Sequence, residues 1–185
     1  MSIYQQNSDF IGIVFSNSNS IIKEALSNNL TVLLNVKRNQ YKMPYFRSLL
    51  VIMKQYIQAQ FYGYMNSDIL LNPRVFQLLQ NNSILFREGF ISNTTELVSR
   101  VVERSLHDSF LSYTSIDEVN PLFSFDYSKL RLRNNLSADI FIFHHSFPFS
   151  IIPPIVIGRF KVDTILMRLP QLINGCRIDI SYFGI

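Results

Sequence analysis

Tryptophan is absent from the chain, and cysteine occurs once, at Cys176. A lone cysteine excludes an internal disulfide and any zinc site built from several thiolates, and it leaves Cys176 the expected role of a small buried hydrophobe. Charge is also scarce: Asp, Glu, Lys and Arg make up 16% of the residues, against roughly 25% in an average soluble protein. Long apolar runs are missing too. No stretch approaches the ~20 residues that a membrane-spanning helix needs, and residues 1–9 have neither a basic start nor an apolar centre. Neither a span nor a leader is expected, so the chain as given reads as soluble, with the cytoplasm favoured. No Gly-X-Gly-X-X-Gly, P-loop, Gly-X-Ser-X-Gly or His-Glu-X-X-His pattern occurs. Those absences argue against dinucleotide oxidoreductases, P-loop kinases, esterases and zinc peptidases.

What is present is core-forming material. Hydrophobic residues reach 48% and aromatics 14% of the 185 residues, enough to bury a substantial core in one domain spanning residues 1–185. The net charge is +4, which mildly favours anions such as nucleotide diphosphates. Its tight clusters are Lys37-Arg38 and Arg131-Leu132-Arg133, short enough to be ordinary solvated faces. Nucleic acid is not an expected partner, because the aromatics fall mainly in strands expected to be buried and no recognised binding motif accompanies them.

Short apolar runs alternate with helical periodicity along the chain, the pattern of an α/β fold in which helices flank a mostly parallel mixed sheet. Residues 10–15 and 30–36 read as strands, joined by a helix that Ser18 or Ser20 caps and whose apolar face is Ile21, Ile22, Ala25 and Leu26. Phe46, Leu49, Leu50, Met53 and Ile57 recur at helical spacing after Pro44. Residues 61–71 form an apolar strand except for Asn66-Ser67-Asp68 near its end, and Asn72-Pro73 opens a helix over residues 74–80. Residues 83–91 read as a further strand, and Leu97, Val98, Val101, Val102 and Leu106 as an amphipathic helix. Residues 114–135 suggest an irregular segment over the sheet. Residues 138–144 are expected to be a strand, Val162, Ile165, Leu166 and Leu169 a helical stripe that Pro170 ends or kinks, and residues 176–180 a last strand reached through Gly175.

Three segments occur in order: Tyr64-Met65-Asn66-Ser67-Asp68-Ile69-Leu70-Leu71, then Ser137-Ala138-Asp139-Ile140-Phe141-Ile142-Phe143, then Pro153-Pro154-Ile155-Val156-Ile157-Gly158-Arg159-Phe160-Lys161-Val162-Asp163. Together they resemble a group of GT-A-like nucleotide-sugar glycosyltransferases in which a Tyr-rich strand ends in Asn-X-Asp, followed by an Asp-aromatic strand and a Gly-Arg-X-X-X-Asp element. Asn39-Gln40-Tyr41-Lys42-Met43-Pro44 resembles the family's segment between an early strand and helix. The resemblance implies a metal-dependent transferase that moves a sugar from a nucleotide-diphosphate donor to a glycan or other hydroxyl acceptor. Asp68 would hold Mn²⁺ or Mg²⁺, hard cations suited to carboxylate and phosphate oxygens, and Asn66 would contact ribose or a water of the metal shell. Arg159 would pair with the diphosphate. Asp139 lies in an aromatic strand, where an unpaired charge is costly, so it is expected to face the cleft or find a hydrogen-bond donor, with an ordinary strand-entry Asp as the alternative. Asp163 would bind the acceptor or take its proton.

Each residue also has a purely structural reading. Asn66 and Asp68 precede a helix start, where turn and cap residues belong. Asp163 opens a helix whose dipole favours an acid, and Arg159 can pair with Asp163 itself. His144 and His145 follow one strand, so their side chains are expected on opposite faces and not on one metal. The chain departs from the family pattern at Val162 and Thr164, which stand where relatives carry Trp and Asn, and at Arg87-Glu88-Gly89, which stands where they carry Gly-Arg-Arg. It also ends soon after its last expected strand, as a C-terminally truncated member would. These departures keep a catalytically inactive GT-A-like nucleotide- or glycan-binding module open beside the enzyme.

Overall fold

A computed structural model describes residues 10–66, 69, 71–87, 96–99, 138–158 and 161–181. They fall into two compact units, one holding residues 10–37 and the other the described residues from 38 onward. The first is a strand-helix-strand unit: β1 (Ile13–Phe15), α1 (Asn19–Ser27) and β2 (Thr31–Leu33). β1 and β2 run parallel, Ile13 opposite Thr31 and Phe15 opposite Leu33. Two asparagines stop α1. Asn29 takes a left-handed conformation with φ 56°, its N–H reaches the Leu26 carbonyl at 3.0 Å, and that of Leu30 reaches Ala25 at 2.9 Å. This is the Schellman arrangement, in which the last carbonyls of a helix are satisfied by backbone that folds back over them. Ser18 sits at the N-cap without a side-chain cap bond. Of the expected apolar face of α1 only Ala25 is buried; Ile21 and Leu26 are exposed.

The second unit contains α2 (Phe46–Tyr56), β3 (Phe61–Met65), α3 (Arg74–Arg87), β4 (Glu96–Ser99), β5 (Ile140–His144), a 3-10 turn (Phe149–Ile151), α4 (Val162–Leu172) and β6 (Arg177–Asp179). Its sheet has the order β3-β5-β4-β6. β5 lies antiparallel to both β3 and β4, while β4 and β6 are parallel. The fold is therefore mixed α/β, and this sheet is less parallel than the alternating pattern of the sequence suggests, because β5 runs against both of its neighbours.

Strand alternation explains the core. Tyr62, Tyr64, Phe141 and Phe143 occupy alternate positions of the paired strands β3 and β5, so they share a face. Phe46, fully buried at the start of α2, meets three of them edge-on, with ring centroids 5.2 Å from Tyr64 and 6.4 Å from both Phe141 and Phe143. Such edge-to-face contacts contribute about 0.5–1.5 kcal/mol beyond area burial. Phe143 continues to Phe147 at 4.8 Å and Phe149 at 5.9 Å, bringing the 3-10 turn into the same aromatic column. The stiff Pro153-Pro154 segment is fastened to the start of α2. The Phe46 N–H donates to the Ile155 carbonyl at 2.9 Å, that of Ile157 donates to Pro44 at 3.0 Å, and Tyr45 bridges Val156.

Two expected elements differ. Residues 83–87 continue α3 instead of forming a strand. Asn81, Asn82 and Ser83 are weak helix formers, but the penalty per residue is only ~0.7 kcal/mol or less and an established helix runs through it. Residues 96–99, expected to open a helix, form β4 between β5 and β6, where ladder partners exist on both sides. Cys176, expected to be buried, is exposed. The expected irregular segment 114–135 lies outside the described residues.

Candidate functional site

The ladder between β3 and β5 closes at Met65 opposite Ile140. One further backbone bond, from the Asn66 N–H to the Asp139 carbonyl at 3.3 Å, carries the pairing past the last residues of the strands. Asn66 and Asp139 are thereby opposite each other at the edge of the sheet where β3 ends and β5 begins. Their side chains meet: Nδ2 of Asn66 donates to Oδ1 of Asp139 at 3.0 Å. On the other side of the amide, the Tyr64 hydroxyl donates to Oδ1 of Asn66 at 2.9 Å. The polypeptide then turns, with the Ile69 N–H on the Asn66 carbonyl at 3.2 Å. Asn72 Oδ1 accepts from the Arg74 N–H at 3.0 Å and caps the start of α3.

Two of the five candidate residues are thus joined. Asp163 is elsewhere in the sequence order of the unit, in the first turn of α4, with Oδ1 accepting from the Thr164 N–H at 2.9 Å. That is the helix-opening position, where an acid is favoured by the dipole. Gly158, with φ +81°, makes the turn that leads towards α4. Lys161 then holds φ 70° at the N-cap. Asp68 and Arg159 lie outside the described residues.

Tyr64 escaped the sequence reading. A signal for it was available, since residues two apart on a strand share a face, and a Tyr two positions before an Asn at a strand end can reach its amide.

The histidine pair differs from expectation as well. β5 ends at His144, and His145 begins the following turn, so the alternation of a strand no longer separates them; their ring centroids are 4.2 Å apart. The Ser146 N–H, which can only donate, reaches Nδ1 of His144 at 3.4 Å, and the Ser146 hydroxyl lies 2.6 Å from the same nitrogen. Nδ1 is therefore an acceptor and the ring carries its hydrogen on Nε2. Burial, and then the charges of His145 and Lys54, push the His144 pKa down to about 4. Lys54 reaches this corner from α2, donating to the His145 carbonyl at 2.6 Å.

A divalent cation at the β3–β5 edge would meet oxygen donors, which fits Mg²⁺ or Mn²⁺ better than zinc. Among the described residues no three His, Cys, Asp or Glu side chains gather into a metal-holding group. No helix among the described residues is long and apolar enough to cross a membrane. Searches against protein-family models, curated proteins and solved structures find no match for this chain.

Proposed function

We propose that the chain is a metal-dependent glycosyltransferase of GT-A-like architecture, moving a sugar from a nucleotide-diphosphate donor to a hydroxyl acceptor. The observation that carries this reading is the side-chain bond between Asn66 and Asp139. It joins two segments far apart in sequence, each of which separately resembles an element of that family, and it sets them opposite each other where β3 ends and β5 begins. Asp68 and Asp139 would hold Mn²⁺ or Mg²⁺, which when bound would neutralise the charge that builds on the departing diphosphate. Arg159 meets the diphosphate with its guanidinium fork, and Asp163 contacts the acceptor hydroxyl.

The test is calorimetric titration of UDP and GDP, with Mn²⁺ present and with the metal chelated. Metal-dependent binding is expected in the wild type, and Asp68→Asn is expected to abolish it while far-UV circular dichroism stays unchanged. Undiminished affinity in the variant removes Asp68 from the site, and no binding of either nucleotide to the wild type removes the reading.

One observation favours a second reading, a non-catalytic module that binds nucleotide or glycan. Asp163 spends one carboxylate oxygen on the Thr164 N–H, as a helix-opening residue does, and Val162 and Thr164 replace the family's Trp and Asn. Nucleotide-sugar binding without hydrolysis or transfer across a broad acceptor panel would select it.

A further inference from the structure

We propose that Asn66 is a positioning residue and not a ligand contact: its amide is a fixed donor that aims the Asp139 carboxylate, with Tyr64 deciding which end of the amide faces it. The proposal rests on the reading that Asp139 belongs to the donor site.

The orientation of the amide follows from charge. An ionised carboxylate is an acceptor only, so the end of Asn66 that faces Asp139 at 3.0 Å has to be Nδ2. Oδ1 then faces the Tyr64 oxygen at 2.9 Å, and the phenol has to donate. The reverse orientation would set an amide oxygen against a carboxylate and leave the phenol only an amide nitrogen to face. Polarity therefore runs one way, from the Tyr64 hydroxyl through the Asn66 amide to Asp139.

Each member is held independently of the chain of bonds it makes. Tyr64 is fixed by its ring against Phe46, and Asn66 and Asp139 by the backbone bond between them. Hydrogen bonds to a charged acceptor are worth more than neutral ones, and a carboxylate in a bidentate or clamping role has to be held in one rotamer. Asn66 supplies that restraint from the neighbouring strand.

Asn66→Asp separates a positioning donor from a ligand by the sign of its effect. As a cation or ribose ligand, an Asp would keep the oxygen and add charge, so Mn²⁺-dependent UDP affinity would hold or tighten. As a positioning donor, it loses the N–H and sets a second carboxylate at hydrogen-bond distance from Asp139, so affinity at pH 7.5 is expected to fall tenfold or more. Tyr64→Phe, which keeps the ring against Phe46, is expected to lower affinity several-fold.

A second readout needs no ligand. The thermal midpoint of Asn66→Asp is expected to lie below that of the wild type at pH 7.5, because the donor is lost and two carboxyls face each other at hydrogen-bond distance. In Tyr64→Phe the midpoint is expected to drop by about 2–4 °C, the shift that one lost hydrogen bond gives in a protein of this size. An Asn66→Asp variant that binds as well as the wild type and melts with it overturns the proposal, as does a Tyr64→Phe variant unchanged in melting. If the wild type binds neither UDP nor GDP, the functional reading fails while the melting comparison still decides the role of Asn66.

Discussion

At the scale of single residues, the described polar groups of this protein take their roles from what the backbone leaves them to do. His144 is the clearest case. It ends β5, its ring meets Phe61 edge-on at 5.5 Å, and the Ser146 N–H and hydroxyl hold Nδ1 as an acceptor. The neutral ring suits this setting and the charged ring does not, because protonation would take place in a partly buried corner beside His145 and Lys54. With its pKa pushed from 6.5 down to about 4, the folded protein takes up this proton less readily than the unfolded chain does. Between those two values the unfolded state binds more protons, so stability rises with pH across the window. The contribution is fully present above pH 6.5 and is lost as pH falls to about 4. Urea titrations at half-unit steps through this range are expected to show wild-type stability falling more steeply than that of His144→Gln, which cannot take up the proton. Parallel curves for the two proteins would mean that His144 titrates normally.

At the scale of elements, two helices end by one device. α4 stops as α1 does: Asn174 is left-handed with φ 51°, and the Gly175 N–H returns to the Pro170 carbonyl at 2.7 Å. Pro170 sits inside the last turn, two residues before the end, so its missing N–H breaks the ladder only where the helix is about to stop. An Asn in this conformation is tolerated because its short polar side chain can hydrogen-bond locally, whereas a branched side chain would meet the full steric cost of roughly 1–2 kcal/mol. Asn174→Val is therefore expected to lose about that much stability in chemical denaturation, and Asn174→Gly is expected to equal or exceed the wild type. If Val is tolerated as well as Gly, the left-handed turn is not what ends α4.

The same positions show what could be read in advance. Most elements were legible, because Phe46, Leu49, Leu50 and Met53 repeat at helical spacing and residues 140–143 are an apolar run bounded by Asp139 and His144. The sequence marks Pro170 as an end or kink of α4, but the helix runs through it to Leu172, and the left-handed residue beyond its end is Asn174, one position earlier than a search for glycine looks. The extent of α3 and the strand at residues 96–99 were not legible. Both depend on partners far away in sequence, and Leu97 and Val98 fit a helix stripe as well as a strand until Ile142 and Phe141 stand opposite them. At the candidate site the sequence brought out Asn66 and Asp139 separately. That they touch is a consequence of the β3–β5 register, which no local pattern encodes.

At the scale of the whole molecule, the sheet of the larger unit is assembled from distant parts of the chain. Residue 61 pairs with residue 144, and residue 96 with residue 177, so long loops have to close before these ladders repay their entropy. The helix with the clearest local pattern has little to stand on alone. α2 has 11 residues, and isolated helices shorter than about 12–15 residues are marginal in water. Its stability comes from burying Phe46, Leu49, Leu50 and Met53, and Phe46 finds its partners in Tyr64 of β3 and in Phe141 and Phe143 of β5. Protection of α2 therefore has to wait for β5 to arrive. Pulse-labelled hydrogen exchange during refolding is expected to show the amides of α2 and those of β3 and β5 gaining protection in one phase, in milliseconds or longer, not in the microseconds of local helix formation. Phe143→Ala, which removes the ring at the centre of the aromatic column, is expected to delay or weaken protection in α2 as much as in the strand that carries it. Early protection of α2 that ignores this substitution would show instead that the helix forms on local propensity, and that the aromatic column only consolidates it.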